Sequence, residues 1–165
     1  MATQKELIIK DGIREGFRSG TSRLAERACY GYIKSKENEL VVIKAEADIV
    51  RWIFECYLAG NSLGKIANRL AAQGIPSPTG NVKWNRQAIY KLLSNEKYAG
   101  CALLQKTFTE DGRQIRNNGQ EKRYLYHNNN PAIISLETFK AVQNEKSRRS
   151  KNLEQATSKE WIMSL

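Results

Sequence analysis

The sequence predicts an α+β fold, in which a small helical bundle with a helix-turn-helix-like pair is followed by a short antiparallel β-sheet and a C-terminal helix. Apolar residues recur at steps of three and four in Ala45–Ala59, Ser62–Ala72 and Asn85–Ser94, as they do on the buried face of an amphipathic helix. Short β-prone runs separated by turn residues follow, which favours a sheet. A last apolar stripe after Ser135 predicts the closing helix.

The N-terminal part is predicted to contain the end of a helix, a linker and a hairpin. Residues 4–19 mix apolar and charged side chains at roughly helical spacing, although two glycines interrupt them. Residues 19–22, with the sequence SGTS, predict a linker. Tyr30–Ile33 and Leu40–Ile43 are β-prone runs on either side of a polar turn, which favours a hairpin.

The central helices carry start and stop signals. Ser62 and Asn85 are good N-caps, because their side-chain oxygens can accept hydrogen bonds from the free N–H groups of a first helical turn. Gly60 and Gly74 stand where helices commonly end. The connection Gly74–Lys83 contains two prolines and two glycines, so it cannot be helical.

The segment after Asn95 is predicted to change to β-structure. Tyr98–Phe108 is predicted as a single strand, residues 111–112 as a tight turn and Gln114–Arg116 as the return strand. Arg123–His127 is a further strand candidate. The closing helix is predicted to run out into a basic stretch, and residues 152–165 show no clear core pattern.

Positive charge is concentrated in two blocks. The net charge is +10, but residues 1–60 hold ten bases and nine acids, a balance of only +1. Residues 61–106 hold seven bases and one acid, and residues 112–151 hold nine bases and three acids, so each block carries +6. This distribution indicates a polyanionic partner.

Cysteine and histidine usage argues against metal or disulfide chemistry. Cys29, Cys56 and Cys101 are far apart in sequence and odd in number, and His127 is the single histidine. These residues form neither a disulfide framework nor a zinc-binding motif, so no metal and no cofactor is expected. No apolar run reaches the roughly 18–20 residues of a membrane helix, and no signal peptide is recognisable. We therefore expect a cytoplasmic protein without a membrane partner.

The second helix of the pair has the chemistry of a DNA reader. Arg86 and Gln87 near its N-terminus suit bidentate contacts with guanine and adenine in the major groove. Tyr90 and Lys91, about a turn further on, are placed to reach phosphates. The alternative is a small helical core with a solvated basic face. The ten-residue connection is also longer than the turn of a simple helix-turn-helix.

The later basic block has two interpretations. Its cations surround a predicted hairpin, which could lie along phosphates as a wing or could be an ordinary solvated sheet face. The run Lys146–Lys151 is interpreted either as a soluble helix end or as a linker that follows DNA. The predicted DNA-binding residues of the whole chain are Lys65, Arg69, Lys83, Asn85, Arg86, Gln87, Tyr90, Lys91, Arg113, Arg116, Lys122 and Arg123.

Four ordered blocks resemble the recombinase domain of large serine recombinases: Glu46–Gly60, Ser62–Pro78, Trp84–Gly100 and Pro131–Gln143. The second block is similar to the family pattern S-x-x-x-I-A-x-x-L-x-x-x-G-I-P-S/T-P. The third is similar to W-x-x-x-x-I-x-x-I/L-L-x-N-x-x-Y-x-G. The resemblance spans about residues 26–150, which is most of the chain.

The resemblance implies a role in DNA integration, excision or inversion for a mobile element, with double-stranded DNA at an attachment site as the partner. In that family a separate N-terminal domain carries the nucleophilic serine, a long helix links it to the recombinase domain, and a zinc-ribbon domain follows. The full-length parent is expected to act as a dimer or tetramer on DNA. Residues 1–20 would be the end of the linking helix and residues 21–150 the recombinase domain, with a helical part at about 26–96 and a β-containing part at about 97–150. Residues 151–165 would be a tail toward the zinc ribbon.

The sequence also departs from the family. It contains neither the arginine-then-serine nucleophile motif nor a cysteine cluster for a zinc ribbon, so we expect an excised domain with no catalytic residue that does not cut DNA by itself. One alternative is a free-standing helix-turn-helix transcriptional regulator that uses the same helix pair. A phosphodiester-cleaving enzyme is disfavoured, because the acids in the basic blocks are isolated and one loop histidine is a poor base.

Overall fold

Helices and short antiparallel strand pairs make up the part of the chain that the computed structural model describes, which is residues 12–19, 24 and 26–163, with side chains as far as Leu153. The helices are α1 (residues 12–18), α2 (Lys44–Leu58), α3 (Leu63–Ala72), α4 (Arg86–Leu93) and α5 (Leu136–Met163), with a 3-10 helix at Glu96–Ala99. The strands are β1 (Tyr32–Lys34), β2 (Leu40–Val42), β3 (Ala102–Leu104), β4 (Thr107–Glu110), β5 (Arg113–Arg116) and β6 (Tyr124–Tyr126). The predicted α+β class is confirmed.

The described residues divide into two compact units that alternate along the sequence. The first unit contains the residues up to Ala47 together with Glu96–Ile133, and the second contains Asp48–Asn95 together with the chain from Ile134 onward. Each unit is described by itself below.

Two tyrosines hold the first unit together. The strands β1 and β2 form the predicted antiparallel hairpin, with Ile33 opposite Val41. The Tyr32 hydroxyl of β1 donates to the carbonyl of Lys97 at 3.0 Å, and the Tyr98 hydroxyl donates to the carbonyl of Tyr30 at 2.8 Å. The two phenol rings stack with their centroids 6.1 Å apart. Because Tyr98 is almost fully buried, its pKa is raised above the usual range of a tyrosine.

The prediction of one strand over Tyr98–Phe108 is wrong. Its first residues belong to the 3-10 helix, and two positive φ angles, 77° at Gly100 and 62° at Gln105, separate that helix from β3 and β3 from β4. The strands then pair differently, since β3 is antiparallel to β6 and β4 is antiparallel to β5. The local apolar pattern is that of a strand, but left-handed backbone at two positions ends the pairing.

The other β predictions are confirmed. The turn between β4 and β5 has positive φ at both Asp111 (47°) and Gly112 (73°), which matches the twist that a two-residue hairpin turn requires. The strand expected around Arg123–His127 is β6. Ala102 and Leu104 of β3 form a small apolar cluster with Phe17 and two tyrosines of β6.

The second unit buries one face of each helix. Its fully buried side chains come from α2, α3, α4, the residue before α4 and α5: Val50, Ile53, Phe54, Ile66, Leu70, Ile89, Leu93, Trp84 and Val142. The Phe54 and Phe139 rings are in contact, with centroids 6.5 Å apart. The predicted bounds of the three central helices agree with the structure to within one or two residues.

The chain ends differ partly from expectation. Helix α5 has 28 residues and continues through the segment where no core pattern was found. Residues 12–18 are helical, as predicted, whereas residues 4–11 and 20–22 lie outside the described residues.

Replacing Gly100 tests the turn that follows the 3-10 helix. A Cβ at this position would lie 2.9 Å from the backbone carbonyl oxygen of Asn130, whereas a Cβ at Gly112, which has a similar φ, would meet nothing within 4 Å. Gly112→Ala should therefore cost about 1–2 kcal/mol of the free energy of unfolding, the usual cost of left-handed backbone. Gly100→Ala should cost about 1–3 kcal/mol more because of overpacking. Urea unfolding followed by circular dichroism measures both, and equal losses would contradict the close approach to Asn130.

Candidate nucleic-acid interface

The helix pair α3 and α4 presents its polar faces to solvent because its apolar stripes are buried. Ile66 and Leu70 of α3 and Ile89 and Leu93 of α4 are fully buried. The caps form as predicted: the Ser62 hydroxyl accepts from the Lys65 N–H at 3.2 Å, and the side-chain oxygen of Asn85 accepts from the Gln87 N–H at 2.8 Å. The first turn of each helix is thus defined by a short polar side chain.

The long connection between the two helices is an ordered loop. The buried Ser77 is bonded twice to Asn81: its N–H donates to the Asn81 carbonyl at 2.9 Å, and its hydroxyl accepts from the Asn81 N–H at 3.0 Å. The indole N–H of the buried Trp84 donates to the carbonyl of Ile75 at 3.2 Å. These contacts fix the point at which α4 starts.

Exposed cations without an ion pair to any described residue lie on α3, on α4 and in the loop between them. We use the term helix-pair surface for the exposed side chains of Lys65, Lys83, Arg86, Gln87 and Lys91. In the described part of the chain, none of these four cations forms an ion pair. The single acid of residues 61–106, Glu96, is buried and accepts hydrogen bonds from the Leu103 N–H and the Lys106 ammonium. The charge of this surface is therefore available to an external anion.

Three predicted contact residues also have partners inside the protein. The Arg69 guanidinium lies 5.0 Å from the centroid of the Trp52 ring and donates to the Cys56 thiol at 3.6 Å. The side-chain oxygen of Asn85 is the cap of α4. The Lys146 ammonium lies over the ring of Tyr90, 3.9 Å from the ring centroid. DNA contacts by these three residues stay predictions, and each would have to be made in addition to the internal contact.

The hairpin cations belong to the first unit, and the strand register separates two of them. Arg116 is opposite Thr107, and Arg113 is opposite Glu110. Side chains alternate between the faces of a strand, so Arg116 shares a face with Gln114 and Arg113 lies on the other. Lys122 and Arg123 are exposed just before β6.

Sequence reasoning missed the contacts of α5. The Gln143 amide donates to the Leu93 carbonyl at 2.7 Å, and the Lys146 ammonium donates to the Ser94 hydroxyl. The Arg149 guanidinium donates to the carbonyls of Tyr57 and Asn61 at 2.8 and 2.9 Å. Tyr57 and Leu93 lie in the last turns of α2 and α4, where carbonyls lack partners within the helix and attract donors and cations. The steps of three residues from Gln143 to Arg149 continue the apolar stripe of α5, and that spacing was the available signal.

Two further charged groups are occupied by internal contacts. The Lys97 side chain is buried and donates to the carbonyls of Leu24 and Arg27 at 3.2 and 2.6 Å. Burial lowers the pKa of Lys97. Hydrogen bonds from Arg148 and Arg149 hold the pKa of the Glu145 carboxyl at about 2. Lys97 therefore adds to the net charge of the sequence without adding to an exposed basic surface.

The family model described as Recombinase matches residues 44–149. The chain belongs to the Recombinase family. The resemblance to the recombinase domain of large serine recombinases is confirmed. The match begins at α2 and ends within α5.

Two solved structures share the fold of this recombinase domain. One is described as a crystal structure of an LSR–DNA complex; it matches 74% of this chain and 32% of that chain, with 21% identity and a TM-score of 0.51. The other concerns the sequence requirements of the Listeria innocua prophage attP site; it matches 85% of this chain and 51% of that chain, with 19% identity and a TM-score of 0.53. The recombinase domain thus spans about a third and about half of the length of these two chains.

The residues that carry the family resemblance are mainly structural. Trp84, Ile89, Leu93 and Tyr98 are buried, and Gly100 adopts a positive φ. The residues of the helix-pair surface are at other positions of the sequence. Within the described residues, no helix is long and apolar enough to cross a membrane, and no three potential metal ligands lie close together.

Arg149 and its neighbour Arg148 form a matched pair for testing the role of α5. Both pair with Glu145, but only Arg149 also donates to the Tyr57 and Asn61 carbonyls. Arg149→Met should lower the free energy of unfolding by about 1–3 kcal/mol, because the Asn61 and Tyr57 carbonyls lose their hydrogen bonds from a charged donor, although Tyr57 keeps the Gly60 N–H. Arg148→Met should leave it unchanged, since its pair is exposed. The urea midpoints of the two variants measure this difference, and identical midpoints would rule out the anchoring role.

Proposed function

We propose that this chain is the DNA-positioning recombinase domain of a large serine site-specific recombinase, and that it holds one half of an attachment site during integration, excision or inversion of a mobile element. The observation that carries this proposal is the helix-pair surface, where four exposed cations on α3, on α4 and in the loop between them have no ion-pair partner among the described residues. Double-stranded DNA is the polyanion that suits an exposed helix with this chemistry, because the major groove admits one α-helix.

Helix α4 is the recognition helix in this proposal. Its stripe Ile89, Leu92 and Leu93 is buried, so the opposite face is free to enter the groove. Arg86 would bind O6 and N7 of a guanine with both guanidinium donors, and Gln87 would bind an adenine edge. Lys65, Lys83 and Lys91 would contact phosphates and set the position of the helix without reading sequence.

The comparisons add independent support. The two fold relatives are described as an LSR–DNA complex and as concerning a prophage attP site. They favour the recombinase over the free-standing transcriptional regulator. In the parent enzyme, which we place in the cytoplasm as a dimer or tetramer on DNA, the nucleophilic serine would come from another domain. Residues 1–20 and 151–165 would connect to the domains on either side.

Replacing Arg86 tests direct readout. The preferred sequence is first selected with the wild-type chain from a pool of duplexes randomised over about 20 base pairs, roughly two helical turns. Arg86→Ala should then lose about 1–3 kcal/mol on the selected duplex and relax preference at one base pair. Lys91→Ala, the control, should weaken all duplexes alike and reduce the slope of log K against log salt by about 1.

Titration of fluorescent duplexes at several salt concentrations separates these outcomes. Binding that does not weaken with added salt would contradict the DNA-binding function as a whole. An unchanged base preference in Arg86→Ala would contradict the assignment of α4 as the recognition helix.

The β4–β5 hairpin offers a second test, because Arg113 and Arg116 are exposed arginines on opposite faces of one strand. If the face of Arg116 and Gln114 lies along phosphates, Arg116→Ala should weaken binding to every duplex by severalfold at low salt. Arg113→Ala should have little effect, since Arg113 is opposite Glu110 on the other face. The same titrations measure both variants. Equal effects would show that the hairpin contributes only general charge.

A further inference from the structure

We propose that Gly64, in the first turn of α3, is a positioning residue for the Arg86 guanidinium. A Cβ built on Gly64 would lie 3.1 Å from Nε, 3.2 Å from Nη2 and 3.3 Å from Cζ of Arg86. The guanidinium therefore lies across the backbone of α3 in the space that a side chain at this position would fill. This inference rests on the proposed reading of DNA by Arg86.

The backbone of α3 does not itself require a glycine here. Gly64 lies within the helix and has no positive φ, so alanine fits its conformation. Glycine also weakens a helix relative to alanine. What glycine provides is space for the guanidinium, because Cβ contacts of 3.1–3.3 Å are tighter than nine in ten of those seen in proteins.

The space at Gly64 affects the position of the Arg86 guanidinium, because no other described contact determines where this group lies. Among the described residues, the Arg86 side chain has no ion pair and no hydrogen bond. A bidentate contact with guanine needs both donors of the planar fork at a defined position and angle. A methyl group at residue 64 would shift the fork by a few tenths of an ångström or turn it away.

The fold should tolerate that change. The atoms that a Cβ would meet belong to the far end of a flexible, exposed side chain and not to the backbone. Gly64→Ala should therefore keep or raise the melting temperature while it impairs base readout. A merely structural glycine would behave in the opposite way.

The test uses the 165-residue chain and the duplex selected with the wild type. Gly64→Ala should reduce the preference for the base pair that Arg86→Ala affects, by about five- to tenfold, the lower end of the loss expected when Arg86 itself is removed. Binding to an unrelated duplex should be unchanged. The double variant Gly64→Ala, Arg86→Ala should bind like Arg86→Ala alone, because Gly64 acts through the arginine. Gly12→Ala is the matched control, since a Cβ at this helical glycine meets nothing within 4 Å.

Three results would overturn the inference. If Arg86→Ala loses base preference and Gly64→Ala does not, Gly64 has no positioning role, whereas the proposed function stands. If Gly64→Ala weakens binding further in the Arg86→Ala background, residue 64 acts independently of the arginine. If Arg86→Ala itself keeps the wild-type preference, the recognition-helix assignment fails and the positioning role fails with it.

Discussion

Burial of Trp84 is the constraint on which the candidate interface depends. The indole is 2% exposed and donates to the Ile75 carbonyl at 3.2 Å, so it ties the end of the long connection to its beginning. One residue later, Asn85 caps α4. A buried aromatic side chain removes a large apolar surface from water. The start of α4 is therefore determined by packing, although a ten-residue loop precedes it.

The positive side chains divide into those that contact groups inside the protein and those that do not. Lys97 and Arg149 donate to backbone carbonyls inside their own units, and Arg69 lies near an indole ring. These internal contacts stabilise the protein. Cations held in this way contribute little to the attraction of an external polyanion. Lys83 and Arg86 have no ion-pair partner among the described residues, so their charge is available to an external anion. The exposed charge without an internal ion pair among the described residues is thus smaller and more localised than the net charge of +10.

Much of this fold was predictable because local signals and tertiary packing agree. Ser62 and Asn85 act as the caps that their side chains favour, and the turn at residues 111–112 has the geometry that Asp-Gly prefers. The prediction of one strand over Tyr98–Phe108 is wrong because Gln105 adopts a positive φ, which glutamine rarely does and which the sequence therefore does not predict. The contacts of α5 were missed because they join residues up to 92 positions apart.

The sequence by itself determined the helices, their caps and the family, because these depend on periodicity, residue type and ordered motifs within short windows. Only the tertiary structure decided which cations face solvent, which faces of the hairpin Arg113 and Arg116 occupy, and that Arg86 lies over Gly64. The reason is physical: burial, register and the space around a side chain are properties of residues brought together from distant parts of the chain.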